Sequence, residues 1–390
     1  MQFALNETQN MLVETARRVG ERFGLEYWRE IDARKEYPVE YWQAVCDAGL
    51  AGIAVPEAYG GSGLGMLDMA LAVETLAQSG GGSTVGQLFM NNPIFCGISV
   101  SLYGSEQQKA EHLPNMLSGA KRYAMALTEP DAGTNTLSIK AFAKADGDGW
   151  LLSGQKIWIT GVPESHGIIV VARTQAAGEA ARRSDGLSMF LIDTERAGLT
   201  HTKIEKLGTN TQSASVVFFD DVRIEPHELL GTLHKGWHEL LDVLNTERIV
   251  TTASLVGTTS LCLKLAVEYA SNRKVFNGTP IGAYQGLQFP LAHAFALNEA
   301  ARVLNFKAAT LFDERKPYGS EANAAKLLAG EAAGAATDRA MQTMGGMGYA
   351  KESHVERLWR DARLFRIAPI SEEMVLNFIA RENLGMQRSY

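Results

Sequence analysis

Ile139-Lys140-Ala141-Phe142-Ala143-Lys144 alternates in polarity, and Asp146-Gly147-Asp148-Gly149 then turns the chain into Trp150-Leu151-Leu152. The same short period recurs in Lys156-Ile157-Trp158-Ile159-Thr160, Gly167-Ile168-Ile169-Val170-Val171, Leu187-Ser188-Met189-Phe190-Leu191-Ile192 and Ser215-Val216-Val217-Phe218-Phe219. Alternate side chains of a strand share one face, so such runs bounded by Gly and Asp predict strands joined by hairpins. No helical period intervenes between about 123 and 232. That predicts a central antiparallel barrel or sandwich.

Outward from this segment the period lengthens. Residues 1–122 carry helical apolar spacing, with Leu12, Ala16, Val19 and Phe23 on one stripe and glycine-rich punctuation at 60–63 and 79–82. Asn6 and Gln9 are spaced as a helix-starting capping box. Residues 233–390 are helical again, with long helices expected over 236–272, 285–314, 320–344 and 371–383, which suggests a four-helix bundle. The expectation is an α+β, mainly α protein of three domains: 1–122, 123–232 and 233–390. An α–β–α order leaves clefts between domains, where ligand sites form.

Composition narrows the function classes. The 390 residues are 46% apolar with a net charge of −7, which is globular and ill suited to binding phosphate backbones or anionic membranes. Three cysteines without short spacing argue against a disulfide framework and a zinc cluster, and point to a reducing environment. The N-terminal segment has no basic start with an apolar run, the final MQRSY has no lipidation signature, and no apolar run reaches the ~18 residues of a membrane span. A cytoplasmic protein is expected.

Several residues invite chemistry. Gly345-Gly346-Met347-Gly348 follows a helix instead of opening one after a strand, so it is a helix end and neither a dinucleotide fingerprint nor a phosphate loop. His234 and His238 have helical metal-ligand spacing, but Gly236 between them marks a helix start and no third ligand is near; no metal is expected. Glu247 falls among Leu240, Val243 and Leu244 on the apolar stripe of its helix, so its carboxylate points into packed interior. Two readings stay open there. One is a buried ion pair involving the neighbouring Arg248, and the other is a general base tuned toward neutral pH by burial. The polar loop Leu127–Asn135, paired with Trp158-Ile159-Thr160, offers hydroxyls, N–H groups and an indole wall to a flat heterocycle, or is ordinary turn chemistry.

Five blocks in order make the sequence resemble the acyl-CoA dehydrogenase family along nearly its whole length. They are Ala126–Thr134, Gly154–Gly161, Asn272–Phe276, Gln342–Gly348 and Arg360–Arg363. The resemblance implies non-covalent FAD between the central domain and the C-terminal bundle. It implies flavin contacts from Met125, Leu127, Thr128 and Thr134, with Trp158 and Thr160 flanking the reactive edge. Arg273 and Phe276 match residues that reach the pyrophosphate and adenosine of a neighbouring subunit's FAD, and Gln285, Gln342 and Gly346 serve the same end. Ser371 and Glu373 complete the implied cofactor set, and Thr134 and Arg248 the substrate contacts. The implied reaction is α,β-dehydrogenation of a CoA thioester in a homotetramer, with electrons passed to an electron-transfer flavoprotein.

The chain departs from the family in one loop. Many members carry the base as Glu before the last helix, where this sequence has Pro369; in the long-chain and isovaleryl branches the base corresponds to Glu247. Proline also lacks the N–H that helps hold the thioester oxygen, so the Ile370 N–H or an ordered water is expected to substitute. Ala368 stands where an aromatic residue is common, which either leaves room for a branched acyl group or merely reflects a reshaped loop, and Asn277 is an extra residue beside the adenosine segment. The competing readings are dehydrogenation of a carrier-protein thioester, a flavin monooxygenase, and a non-catalytic FAD-binding subunit.

Overall fold

The structure, a computed structural model, describes residues 4–176 and 178–387. Residues 1–3 and 388–390, the extremities of the segments tested above for targeting and lipidation signals, lie outside the described residues. The N-terminal region holds α1 (Glu7–Arg22), α2 (Leu25–Arg34), α3 (Val39–Asp47), α4 (Met66–Leu76), α5 (Ser83–Phe89), α6 (Ser99–Tyr103) and α7 (Glu106–Leu117). The Asn6 side chain accepts from the Gln9 N–H at 2.8 Å and Gln9 Oε1 accepts from the Asn6 N–H at 3.2 Å, so the capping box starts α1 as its spacing predicts. A π-helical stretch, Met90–Ile98, containing Pro93 joins α5 to α6.

The central region is an eight-stranded sheet: β1 (Tyr123–Ala126), β2 (Phe142–Asp146), β3 (Gly149–Thr160), β4 (Gly167–Arg173), β5 (Leu187–Asp193), β6 (Leu199–Lys203), β7 (Ala214–Ile224) and β8 (Leu229–Leu230). Its order is β6-β7-β3-β2-β4-β5-β8, with β1 also lying along β4. The sheet is therefore open and not a closed barrel. At one edge β6 exposes every residue after Leu199, and at the other β8 is two residues long, which leaves little to pair further. Pairing is mostly antiparallel; β1 and β2 meet β4 in parallel.

The C-terminal region comprises α8 (Gly236–Asn272), the hairpin β9 (Lys274–Val275) and β10 (Thr279–Pro280), α9 (Gln285–Asp313), α10 (Gly319–Met344), α11 (Gly346–Tyr349), α12 (Val355–Leu364) and α13 (Glu372–Phe378). Three helices are long; the expected fourth is α13 extended by a π turn, Ile379–Asn383, and α12 is an addition to the predicted set. Fully buried alanines at 322, 325, 329, 333, 336 and 340 let α10 approach α8 and α9 closely. By length and apolarity α8 could cross a bilayer, but 78% of its most apolar window is buried by neighbouring elements, as in a core helix.

Polar bolts tie the three regions together. Arg357 donates to the Gly80 carbonyl at 2.6 Å, Arg360 pairs with Asp32 at 2.7 Å, and the buried Asp361 accepts from the Thr209 N–H. At the other end of the fold Asp313 of α9 caps α4 by accepting from the Met66 and Leu67 N–H groups at 2.7 and 3.1 Å.

Candidate active site

Glu247 sits on the second turn-pair of α8 and is 5% exposed, among the fully buried Val243, Thr246, Ile249 and Val250. No hydrogen bond reaches its carboxylate among the described residues; the charges facing it are Arg248 and Lys326. Burial dominates, and the carboxyl is pushed up to about 7. Among the described residues Glu247 makes no ion-pair contact, so the ion pair that one sequence reading placed here is not formed. Arg248 bonds the Asn245 side chain instead, its Nε is unpartnered, and burial lowers its pKa. The α8 face that carries Glu247 continues through Ser254, which packs against Gly86 of α5; a Cβ on Gly86 would fall 2.3 Å from Ser254 Oγ. Glycine there lets the two helices meet about two turns beyond the base.

The central sheet presents Trp158 by distorting a strand. On β3, Lys156 opposes Val217 and Ile159 opposes Ser215, so β3 carries one extra residue between these pairs. This bulge puts Trp158 at φ 61°, a left-handed conformation costly for a large side chain, and leaves its indole 55% exposed. Two turns of sequence are stapled to it. The Ile157 N–H donates to the Thr128 carbonyl at 2.9 Å. Lys156, wholly buried, donates to the Leu127 carbonyl and to Glu129, both at 2.9 Å. The Glu129 carboxylate also accepts from the Lys140 and Ala141 N–H groups, at 2.6 and 2.9 Å. Leu127 and Thr128 are thereby fixed against the Trp158 strand, Met125 is buried on β1, and Thr134 lies exposed further along the same loop. The Thr160 carbonyl is held by the Asn91 amide at 3.3 Å, and Asn91 also donates to Gln212 at 3.2 Å.

Sequence reasoning missed these supports. The signal for one lay in the motifs themselves, where Lys156 and Glu129 are charges inside otherwise apolar or turn-forming runs. His234 and His238 turn to different partners, Thr174 Oγ1 at 2.8 Å and Asp185 at 3.5 Å, and no group of three metal-ligating side chains exists among the described residues.

The remaining candidates gather elsewhere. Arg273 follows the last residue of α8, 26 residues beyond Glu247, a separation of about 39 Å along the helix axis. Phe276 follows in the β9–β10 turn and is 93% exposed. Gln285 begins α9, and Gln342 and Gly346 lie exposed around the end of α10, whose Met344 packs with Leu261, Ala266 and Leu291. These five share the end of the bundle opposite to Glu247. Ser371 and Glu373 lie at the Glu247 end: Ser371 caps α13, and the exposed Glu373 faces Arg366 and Lys326.

Three domain families match in order: the acyl-CoA dehydrogenase N-terminal domain over residues 6–120, the middle domain over 124–222 and the C-terminal domain over 234–384. This chain belongs to the acyl-CoA dehydrogenase family. It is 39% identical to acyl-CoA dehydrogenase FadE12 of Mycobacterium tuberculosis (strain ATCC 25618 / H37Rv) over 94% of each chain. It is 36% identical to the human mitochondrial short-chain specific acyl-CoA dehydrogenase over 99% of this chain and 92% of the relative. Among solved structures, butyryl-CoA dehydrogenase from Megasphaera elsdenii superposes with a TM-score of 0.92 at 31% identity, covering 99% of this chain and all of the other. The family uses FAD, and the residues present suit it: a half-exposed indole in a strained bulge, with a tethered threonine-bearing turn bonded to the same strand, is a wall built for a flat ring system.

Proposed function

We propose that this acyl-CoA dehydrogenase family member converts an acyl-CoA thioester to the 2-enoyl-CoA with Glu247 as the base. The observation that carries the assignment is a buried carboxylate on α8 without a hydrogen bond among the described residues, poised near neutrality. Glu247 takes the α-proton while the β-hydrogen leaves with its electron pair, and the new double bond forms between the two carbons. FAD, when bound, supplies the acceptor for that hydride. Trp158, Thr160 and the Leu127–Thr134 turn would hold the flavin ring, with Thr134 and Arg248 toward the substrate. Ser371 and Glu373 would serve the cofactor from the α13 end.

The finer reading is a homotetramer in which Arg273, Phe276, Gln285, Gln342 and Gly346 of one chain serve the FAD of another, with an electron-transfer flavoprotein as acceptor. The exposure of Phe276 and of Tyr349 at one end of the bundle supports the cross-chain part. The thiols of Cys46, Cys96 and Cys262 are all free and buried, which suits a reducing compartment such as the cytoplasm.

Anaerobic mixing with straight and branched acyl-CoAs tests the reaction: the visible flavin absorbance bleaches in the wild type, and Glu247→Gln keeps its FAD but does not bleach. Bleaching by the variant at the wild-type rate refutes the assignment. A monooxygenase would instead consume oxygen with pre-reduced flavin.

A further inference from the structure

One buried charge near the base has no part in the reaction as written above. Lys326 of α10 is 1% exposed, and its ammonium donates to the Ile370 carbonyl at 2.6 Å. That is its one hydrogen bond among the described residues. A buried ammonium with a single neutral partner is expensive, and an apolar side chain would fill the place at less cost. The charged groups facing it are Arg248 and Glu247 from α8 and Glu372 and Glu373 from α13. Glu372 is already engaged by Arg366, Nε at 2.7 Å and Nη2 at 2.6 Å.

These bonds define a loop held at two places. The Arg366–Glu372 pair, together with the Glu372 N–H donating to the Arg366 carbonyl at 3.3 Å, closes its neck. Lys326 grips its far side at Ile370. Within the loop Pro369 has no N–H to offer, whereas the Ile370 N–H donates to nothing among the described residues. The backbone group released for work is the one next to the residue that Lys326 anchors.

We propose that Lys326 is a positioning residue: it holds the 367–371 loop by the Ile370 carbonyl, leaving the Ile370 N–H to serve the thioester oxygen, and its charge favours the ionised form of Glu247. This rests on Glu247 being the base. Burial pushes Lys326 down to about 8, so it is mostly charged at the midpoint of Glu247 ionisation, about 7. A positive charge beside a carboxylate favours its charged form, so losing the charge moves Glu247 ionisation to higher pH.

The test uses FAD-loaded Lys326→Met and Lys326→Arg, with flavin content and thermal midpoint as controls for folding. In Lys326→Met the acid limb of kcat/KM moves up by roughly half to one pH unit. Its kcat falls by roughly 10- to 100-fold, the range of a misplaced oxyanion donor, while KM changes less. Amide exchange across 367–372 quickens at least tenfold. Lys326→Arg keeps the acid limb at its wild-type position. An unmoved limb in Lys326→Met, unchanged loop exchange, or a limb that shifts equally in Lys326→Arg overturns the proposal. Should Lys326→Met lose its flavin, Lys326→Gln replaces it as the uncharged variant, with the same expected limb shift and quickened exchange and the same overturning results. Turnover surviving Glu247→Gln would instead remove the base assignment, and the loop-exchange arm would still report on the anchor.

Discussion

Glu247 shows how a single side chain can be costly to the fold and useful to the reaction. Its carboxyl rises from an ordinary 4.5 to about 7 because burial outweighs the two cations nearby. The folded chain then holds a proton that the unfolded chain releases, so stability falls as pH rises from about 4.5 to 7 and the cost is complete above 7. Glu247→Gln should therefore stabilise the protein at pH 8 by up to about 3 kcal/mol, and by nothing measurable near pH 4. Denaturant melts at the two pH values check this, and equal gains at both would remove the link to ionisation. The same ionisation sets the rate: kcat/KM should fall below about pH 7 as Glu247 protonates, whereas a pH-independent profile would exclude it as base. Glu247 was legible in the sequence because a carboxylate among leucines and valines stands out on a helical wheel. Lys326 obeys the same pattern among Ala322, Ala325, Ala329 and Ala333, but alanine is as common on exposed faces as on buried ones, so its burial was hidden.

At the scale of elements, the site depends on one bulged strand and the turn stapled to it. Lys156 and Glu129 are both buried and paired at 2.9 Å, and Glu129 further binds two backbone N–H groups of the neighbouring segment. Lys156→Met leaves a buried carboxylate short of its cation, a change that costs about 3–5 kcal/mol. The variant should melt at lower temperature and release its flavin, because the Leu127–Thr134 turn loses its tether. Thermal unfolding followed alongside bound flavin checks both. A stable variant with full flavin would reduce the pair to ornament. The strands around this pair were visible in the sequence from their period of two, and the helices from their longer one. The bulge at Trp158 was not, because an extra residue exists only relative to the register of β7, which no single strand records. Sheet closure was illegible for a related reason: strand counts do not reveal that β6 and β8 are too polar or too short to meet.

Across the whole molecule, α8 separates two functional ends by about 39 Å, with Glu247 at one and Arg273 and Phe276 at the other. If the residues at both ends serve FAD, as proposed, those at the far end cannot reach the cofactor held beside Glu247 of their own chain. They would reach the cofactor of a second copy whose near end lies against them. Phe276 makes this testable, since its ring is 93% exposed in the single chain and supports nothing within it. Phe276→Ala should leave secondary structure and the stability of each chain's core untouched. Its cofactor affinity should drop at least about tenfold, equivalent to about 1.4 kcal/mol, the order of loss when an aromatic anchor leaves an interface. Because the FAD bridges two chains in this arrangement, flavin loss and assembly should fail together on dilution. Sedimentation followed at protein and flavin wavelengths measures both in one run. Full flavin retention by Phe276→Ala at every concentration would show that each chain holds its cofactor alone, and the cross-chain site would have to be abandoned.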